Sequence, residues 1–153
     1  MANLEELVGK IKETFPQAIE ETAVYKDEHT IRVKLSYLLE VARFLRDDPS
    51  CGFDFLSDLC GVDYMGRVPR FEVVYHLYSM KHRHRLRMKT SPPDDDLTVP
   101  SVVSVWKTAN WHERECYDLL GITFSDHPDL RRILTPDGFQ EYPLRKDFPL
   151  RGR

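Results

Sequence analysis

The chain has 153 residues, 41% of them hydrophobic and 31% charged, with a formal charge of −3. That length fits one domain with a sizeable core, and the near-balanced charge gives no global reason to expect nucleic acid or an anionic membrane surface. The apolar runs are only a few residues long, which excludes a bilayer-spanning helix.

At the N-terminus, MANLEELVGKIKE lacks the basic-then-apolar layout of a signal peptide, so a cytoplasmic or equivalent compartment is expected. Asn3 and Glu6 predict a capping box for a helix that carries Leu4, Leu7, Val8, Ile11 and Phe15 on one face and stops at Pro16. Residues 18–26 and 29–35 read as a hairpin, because Ile31, Val33 and Leu35 alternate with Arg32 and Lys34. Ser36 is the expected N-cap of a second helix using Leu38, Val41, Ala42 and Leu45, ended by Pro49. Residues 53–63, mostly apolar and bounded by Gly52 and Gly66, predict a central strand. The alternation around Phe71, Val73, Tyr75 and Leu77 predicts another, covered on both faces.

Lys81, Arg83, Arg85, Arg87 and Lys89 recur at period two and predict a strand with a cationic face opposite His82, His84, Leu86 and Met88. A solvated sheet surface, an acidic protein partner and nucleic acid would each use such a stripe, but the interleaved aromatics of single-strand binders are absent. His82 and His84 would share a strand face, yet a metal needs further ligands and the spacing selects neither His76 nor Asp63. Ser91–Pro100, with prolines and consecutive aspartates, reads as a solvated loop. Cys51, Cys60 and Cys116 form no CxxC or ferredoxin spacing, so reduced thiols are expected and no iron–sulfur cluster. Strands punctuated by helices argue for an α+β two-layer sandwich: a mostly antiparallel or mixed five-stranded sheet with helices packed on it.

The run from Trp111 to Pro149 carries the most information. Asn110 and Glu113 predict the capping box of a short charged helix, and Gly121 its C-terminal stop. Beyond Gly121 the periodicity ends, and Pro128, Pro136, Pro143 and Pro149 break the chain every six to eight residues. An ordered stretch of that kind in a small domain is usually functional or held by something else. The expected organisation is therefore an α+β domain over 1–121 and an extended partner-binding tail over 122–153. Ile122, Phe124, Leu130, Ile133, Leu134, Phe139, Tyr142, Leu144 and Phe148 would be only partly buried on the domain itself. His112-Glu113 lacks the second histidine of HExxH, because Cys116 stands there. No phosphate loop or nucleophile arrangement is present, and the acids and bases here predict an ion-pair network that fixes the exit of the tail.

Glu113-Arg114-Glu115, Asp118, Gly121, His127-Pro128, Arg131-Arg132-Ile133-Leu134, Gly138 and Pro143-Leu144-Arg145-Lys146-Asp147 resemble, in order and spacing, the signature of the 30-kDa (C) subunit of NADH:quinone oxidoreductase, respiratory complex I. Phe55, Ser57-Asp58-Leu59 and Asp63 resemble it more loosely. The resemblance implies a structural, non-catalytic subunit of a proton-translocating enzyme, peripheral on the cytoplasmic side of the cell inner membrane. It implies docking on the 49-kDa (D) subunit, and indirect membrane association. NADH, FMN, iron–sulfur clusters and quinone would all belong to other subunits. Related subunits in NDH-type complexes and membrane-bound hydrogenases, with other electron donors, share the resemblance. A nucleic-acid-binding module is the reading from a different class.

Overall fold

The computed structural model describes residues 3–149; residues 1–2, and 150–153 at the end of the predicted tail, lie outside that range. Helix α1, Leu4–Thr14, begins where the sequence indicates: Asn3 Oδ1 accepts the Glu6 N–H at 2.8 Å, and Leu7, Val8 and Ile11 are buried. The hairpin follows as β1 (Ile19–Tyr25) and β2 (Glu28–Val33), joined at Lys26 and Asp27, both with positive φ. Ser36 is not a cap. It lies in a 3-10 turn over Leu35–Tyr37, whose backbone bonds already supply the entry to α2, Leu38–Asp47, so no side-chain cap forms.

The sheet runs in the order β1-β2-β5-β4-β3, with β3 at Phe55–Asp63, β4 at Phe71–Tyr78 and β5 at Arg85–Thr90. β2 and β5 pair in parallel and the other neighbours antiparallel, so the α2 crossover carries the chain past the centre to the far edge. The predicted central strand, 53–63, is therefore an edge strand. Its apolar character has another cause: a helix, α3 (Ala109–Leu120), packs along it, and Gly61 lies so close to Leu120 and Cys116 that a Cβ would not fit.

One sheet face presents Ile31, Val33, Val73, Tyr75, Leu77, Leu86 and Met88 to a core shared with α1 and α2. On the other face the cationic stripe is shorter than its sequence pattern. The chain turns at 80–83, closed by Arg83 N–H to Ser79 O (2.8 Å), and the strand starts only at Arg85. Lys81 and Arg83 drop out, His82 and His84 stack in the turn rather than on a strand, Arg87 pairs with Glu28 (2.7 Å), and Lys89 with Glu72 (3.4 Å). The loop predicted over 91–100 contains β6, Thr98–Pro100, which pairs in parallel with β7, Thr123–Ser125. Ile122 and Phe124 are consequently core residues, 0% and 3% exposed, and the segment without helix or strand begins after Ser125.

Candidate functional site

The arm after Ser125 is strapped to α3 and β3 by side chains of the charged helix and by its own arginines. Helix α3 starts at Ala109, so Asn110 lies inside it and the predicted capping box does not form. Glu113, fully buried, instead accepts Ser101 Oγ–H at 2.7 Å and the Val102 N–H at 2.8 Å, satisfying a loop that has no strand to pair with. Burial pushes its carboxyl up to about 7, although these two bonds pull the other way. Beside it, the His127 side chain is also fully buried, with Nε2 3.9 Å from Glu113 Oε2. His127 Nδ1 accepts the Asp129 N–H (2.9 Å) and Nε2 faces Asn110 O (3.1 Å), which puts the proton of the neutral ring on Nε2.

Asp118 is the principal anchor. Its carboxylate has no exposed surface, and Oδ2 accepts three successive backbone N–H groups, from Ile133 (3.1 Å), Leu134 (2.7 Å) and Thr135 (2.9 Å). Oδ1 accepts the Thr135 hydroxyl and Arg132 Nη1, the latter at 3.0 Å. Burial alone would raise this carboxyl, but the hydrogen bonds from Thr135, Arg132 and Leu134 outweigh it and hold the group well below the usual carboxylate range. Arg132 also donates to Asp118 O and Glu141 O and lies over the rings of Tyr117, Phe139 and Tyr142.

Two further straps hold the end of the arm. Arg145 Nε donates to Leu120 O at 2.8 Å, the Leu144 N–H reaches Leu119 O at 3.0 Å, and the Arg145 guanidinium stacks between Phe71 and Tyr142. Gly121, at φ 80, ends α3 here; a Cβ would lie 2.6 Å from Arg145 Nη2 and 2.8 Å from the Tyr142 ring, so glycine is required by conformation and by space alike. Farther along, buried Asp63 takes a two-pronged bond from Arg70 (2.7 Å each) and the Lys146 N–H (2.8 Å), while Arg70 reaches on to Asp147 (3.0 Å). The Arg70 guanidinium, ahead of the opposing effect of burial, holds Asp63 below its ordinary value.

Of the residues singled out from sequence, Glu113, Arg114, Asp118, Gly121, His127, Arg132 and Arg145 thus converge on the junction between helix and arm, and Asp147 joins the arm's far end to Arg70. Lys146 joins only through its backbone, Pro143 is half-buried, and Glu115 and Pro128 are exposed. Arg131 is exposed and pairs with Asp129, two residues away. The predicted ion-pair network is mostly something else. Arg114 donates to Arg131 O and Arg132 O, both at 3.2 Å, because carbonyls of an arm without strand partners need donors. Arg70 and Ser101 escaped the sequence reading: neither carries a local signal, and only chain folding brings them to Asp63 and Glu113.

This is an α+β domain with one mixed sheet and a C-terminal arm strapped across its edge helix. Residues 31–153 match the model of the family described as respiratory-chain NADH dehydrogenase, 30 Kd subunit. Similar curated proteins include the C subunit of NADH-quinone oxidoreductase from Methylobacterium sp. (strain 4-46), 52% identical over 149 residues, covering 97% of this chain and 69% of that one. The protein of the same name from Roseiflexus sp. (strain RS-1) is 47% identical over 144 residues, 94% of this chain and 83% of that one. Among solved structures, Nqo5 in a trypsin-resistant fragment superposes with a TM-score of 0.69 at 30% identity, covering 83% of this chain and 98% of the fragment. A chain of the membrane-bound sulfane sulfur reductase, an archaeal respiratory membrane complex, gives a TM-score of 0.81 at 26% identity over 95% of this chain and 85% of that one. The chain belongs to the 30-kDa subunit family of respiratory-chain NADH dehydrogenase, and is a subunit of an NADH-quinone oxidoreductase. Among the described residues, no helix is long and apolar enough to cross a membrane.

Proposed function

We propose that this chain is a structural assembly subunit, free of redox cofactors, that docks through α3 and its arm on the 49-kDa subunit of the peripheral arm. It reaches the cytoplasmic face of the inner membrane only through the complex. The carrying observation is an arm anchored by backbone-directed bonds that still leaves large apolar side chains in water: Leu134 is 62% exposed, Leu144 58%, and Trp111 on α3 62%. Anchoring before docking lowers the ordering cost of association, and exposed aromatic and aliphatic anchors are what a partner surface buries. The cofactor-free reading is supported by the thiol inventory: a ferredoxin-type cluster takes four thiolates, the chain has three cysteines, and Cys51 and Cys116 are buried. Glu113, Asp118 and Asp63 are spent on structural bonds rather than aimed into a cleft, which supports a non-catalytic role. The residues of 122–153 would be the main contact, and those of the signature that face the domain would set the shape of the arm.

Native gels and co-purification test this reading. Trp111→Ala combined with Leu134→Ser should lower assembled complex without changing quinone reductase activity per complex; normal assembly refutes docking through this face. A second reading concerns the electron donor. The likeness to the sulfane sulfur reductase supports a scaffold role that related complexes share whatever donates electrons, and flavin-subunit genes beside this one would favour NADH.

A further inference from the structure

The antiparallel pairing of β3 with β4 sets Asp58 directly opposite His76, and Cys60, two residues along, faces the same way. This is the sheet face not used by the core, and Asp58 and His76 line a cavity of about 590 Å³ on it, beside Phe55, Tyr78 and Arg85. One carboxylate oxygen of Asp58, the Cys60 sulfur and an imidazole nitrogen of His76 lie within 4.8 Å of one another. We propose that Asp58, Cys60 and His76 form a binding site for a divalent transition-metal ion of the zinc type. The donor set is a thiolate, an imidazole and a carboxylate, the combination that borderline-soft tetrahedral Zn²⁺ takes, with water in the fourth position.

Geometry and charge both favour it. Zinc–ligand bonds of about 2.0–2.3 Å put tetrahedral donors roughly 3.3–3.8 Å apart, so the three atoms need to close by about 1 Å. The Asp58 side chain is 54% exposed; its Oδ1 accepts the Leu59 N–H at 2.9 Å, which leaves Oδ2 to turn toward the ion, while Cys60 and His76 are half-buried and held by the strands. A thiolate and a carboxylate neutralise the ion, and the nearest strand cation, Arg87, is already paired with Glu28. From α3, His112 Nδ1 stands 3.6 Å from Asp58 Oδ1, just beyond hydrogen-bond distance, and would close on that carboxylate as outer-shell histidines do once the ion draws it in. As the metal–sulfur bond forms, the thiol proton leaves to solvent. The site would tie β3 to β4 and α3 at the edge of the sheet. It carries no electron and is independent of the docking reading.

The full chain, reduced and stripped with chelator, is titrated with Co²⁺ and then with Zn²⁺ against a chromophoric chelator, with circular dichroism to confirm folding. The expected result is one equivalent of Co²⁺ with a thiolate-to-cobalt charge-transfer band and tetrahedral visible bands, displaced by Zn²⁺. Cys60→Ser should abolish the charge-transfer band, and Cys60→Ser or His76→Gln should weaken Zn²⁺ by on the order of a hundredfold, with His112→Ala costing about tenfold. His82→Gln, in the other histidine pair, should leave affinity unchanged. Absence of the band at stoichiometric Co²⁺, affinity that survives Cys60→Ser and His76→Gln in folded protein, or its loss in His82→Gln would each overturn the site.

Discussion

Replacing Asp118 with Ala removes the acceptor for three backbone N–H groups, the Thr135 hydroxyl and Arg132 in a single step. Each hydrogen bond to a charged acceptor is worth about 1.5–3 kcal/mol, and stranding the buried partner of a charge pair costs roughly 3–5 kcal/mol. Here the lower end applies. Arg132 keeps Asp118 O and Glu141 O and its place over three rings, and the freed amides gain water once the arm lifts. A loss of about 3 kcal/mol in the closing of residues 131–135 corresponds to roughly a hundredfold faster amide exchange there. It falls on the arm, because the core of α1, α2 and the sheet contains none of these bonds. Hydrogen exchange on peptides covering Ile133–Thr135, with trypsin cleavage at Arg131 and Arg132 as a second probe, reads the effect directly; circular dichroism should show the core melting almost unchanged. In the wild type the Asp118 carboxyl lies below the unfolded carboxylate range. The anchor is therefore fully present above that range and is lost only as pH falls below it. Exchange at Ile133–Thr135 that is the same in Asp118→Ala and wild type would refute the clamp, whatever happened to global stability.

Other outcomes follow from neighbouring residues. Glu113 has a raised folded value, so its contribution is complete below the unfolded value and declines as pH rises from about 4.5 through about 7, by roughly 3 kcal/mol. Denaturation between pH 4 and 8 should show that decline and Glu113→Gln should flatten it; an unchanged slope in the variant counts against the assignment. Gly121→Ala places a Cβ against Arg145 and Tyr142 at a positive φ and should cost more than the roughly 1 kcal/mol of conformation alone, seen as a lower melting temperature and faster cleavage at Arg145. Arg114→Ala should reduce assembled complex on native gels while leaving turnover per complex intact; wild-type assembly with a large fall in normalised turnover would remove the scaffold reading.

How far the sequence carried depends on how local each cause is. Asn3 and its helix, the β1–β2 hairpin and the stop at Gly121 were legible because cap, turn and periodicity lie within a few residues of what they determine. Glu113 shows where that fails. An acid three residues after Asn110 has the spacing of a capping box, but the same spacing exists throughout a helix, and the decision was made by the unpaired Val102 N–H eleven residues upstream. The strand over 53–63 failed for a related reason: an apolar strand reports that both sides are covered, not that the cover is another strand, and here it is α3. In the last quarter of the chain the residues that matter were legible as a pattern while their partners were not. Asp118 binds amides rather than a cation alone, Arg114 and Arg145 bind carbonyls, and Asp63 meets Lys146 through its backbone. Side chains that bond to backbone constrain the path of the arm rather than the identity of its residues. That is the physical reason a proline-broken segment can hold one shape on the domain while its exposed side chains, Leu134 and Leu144 among them, stay available for a neighbour.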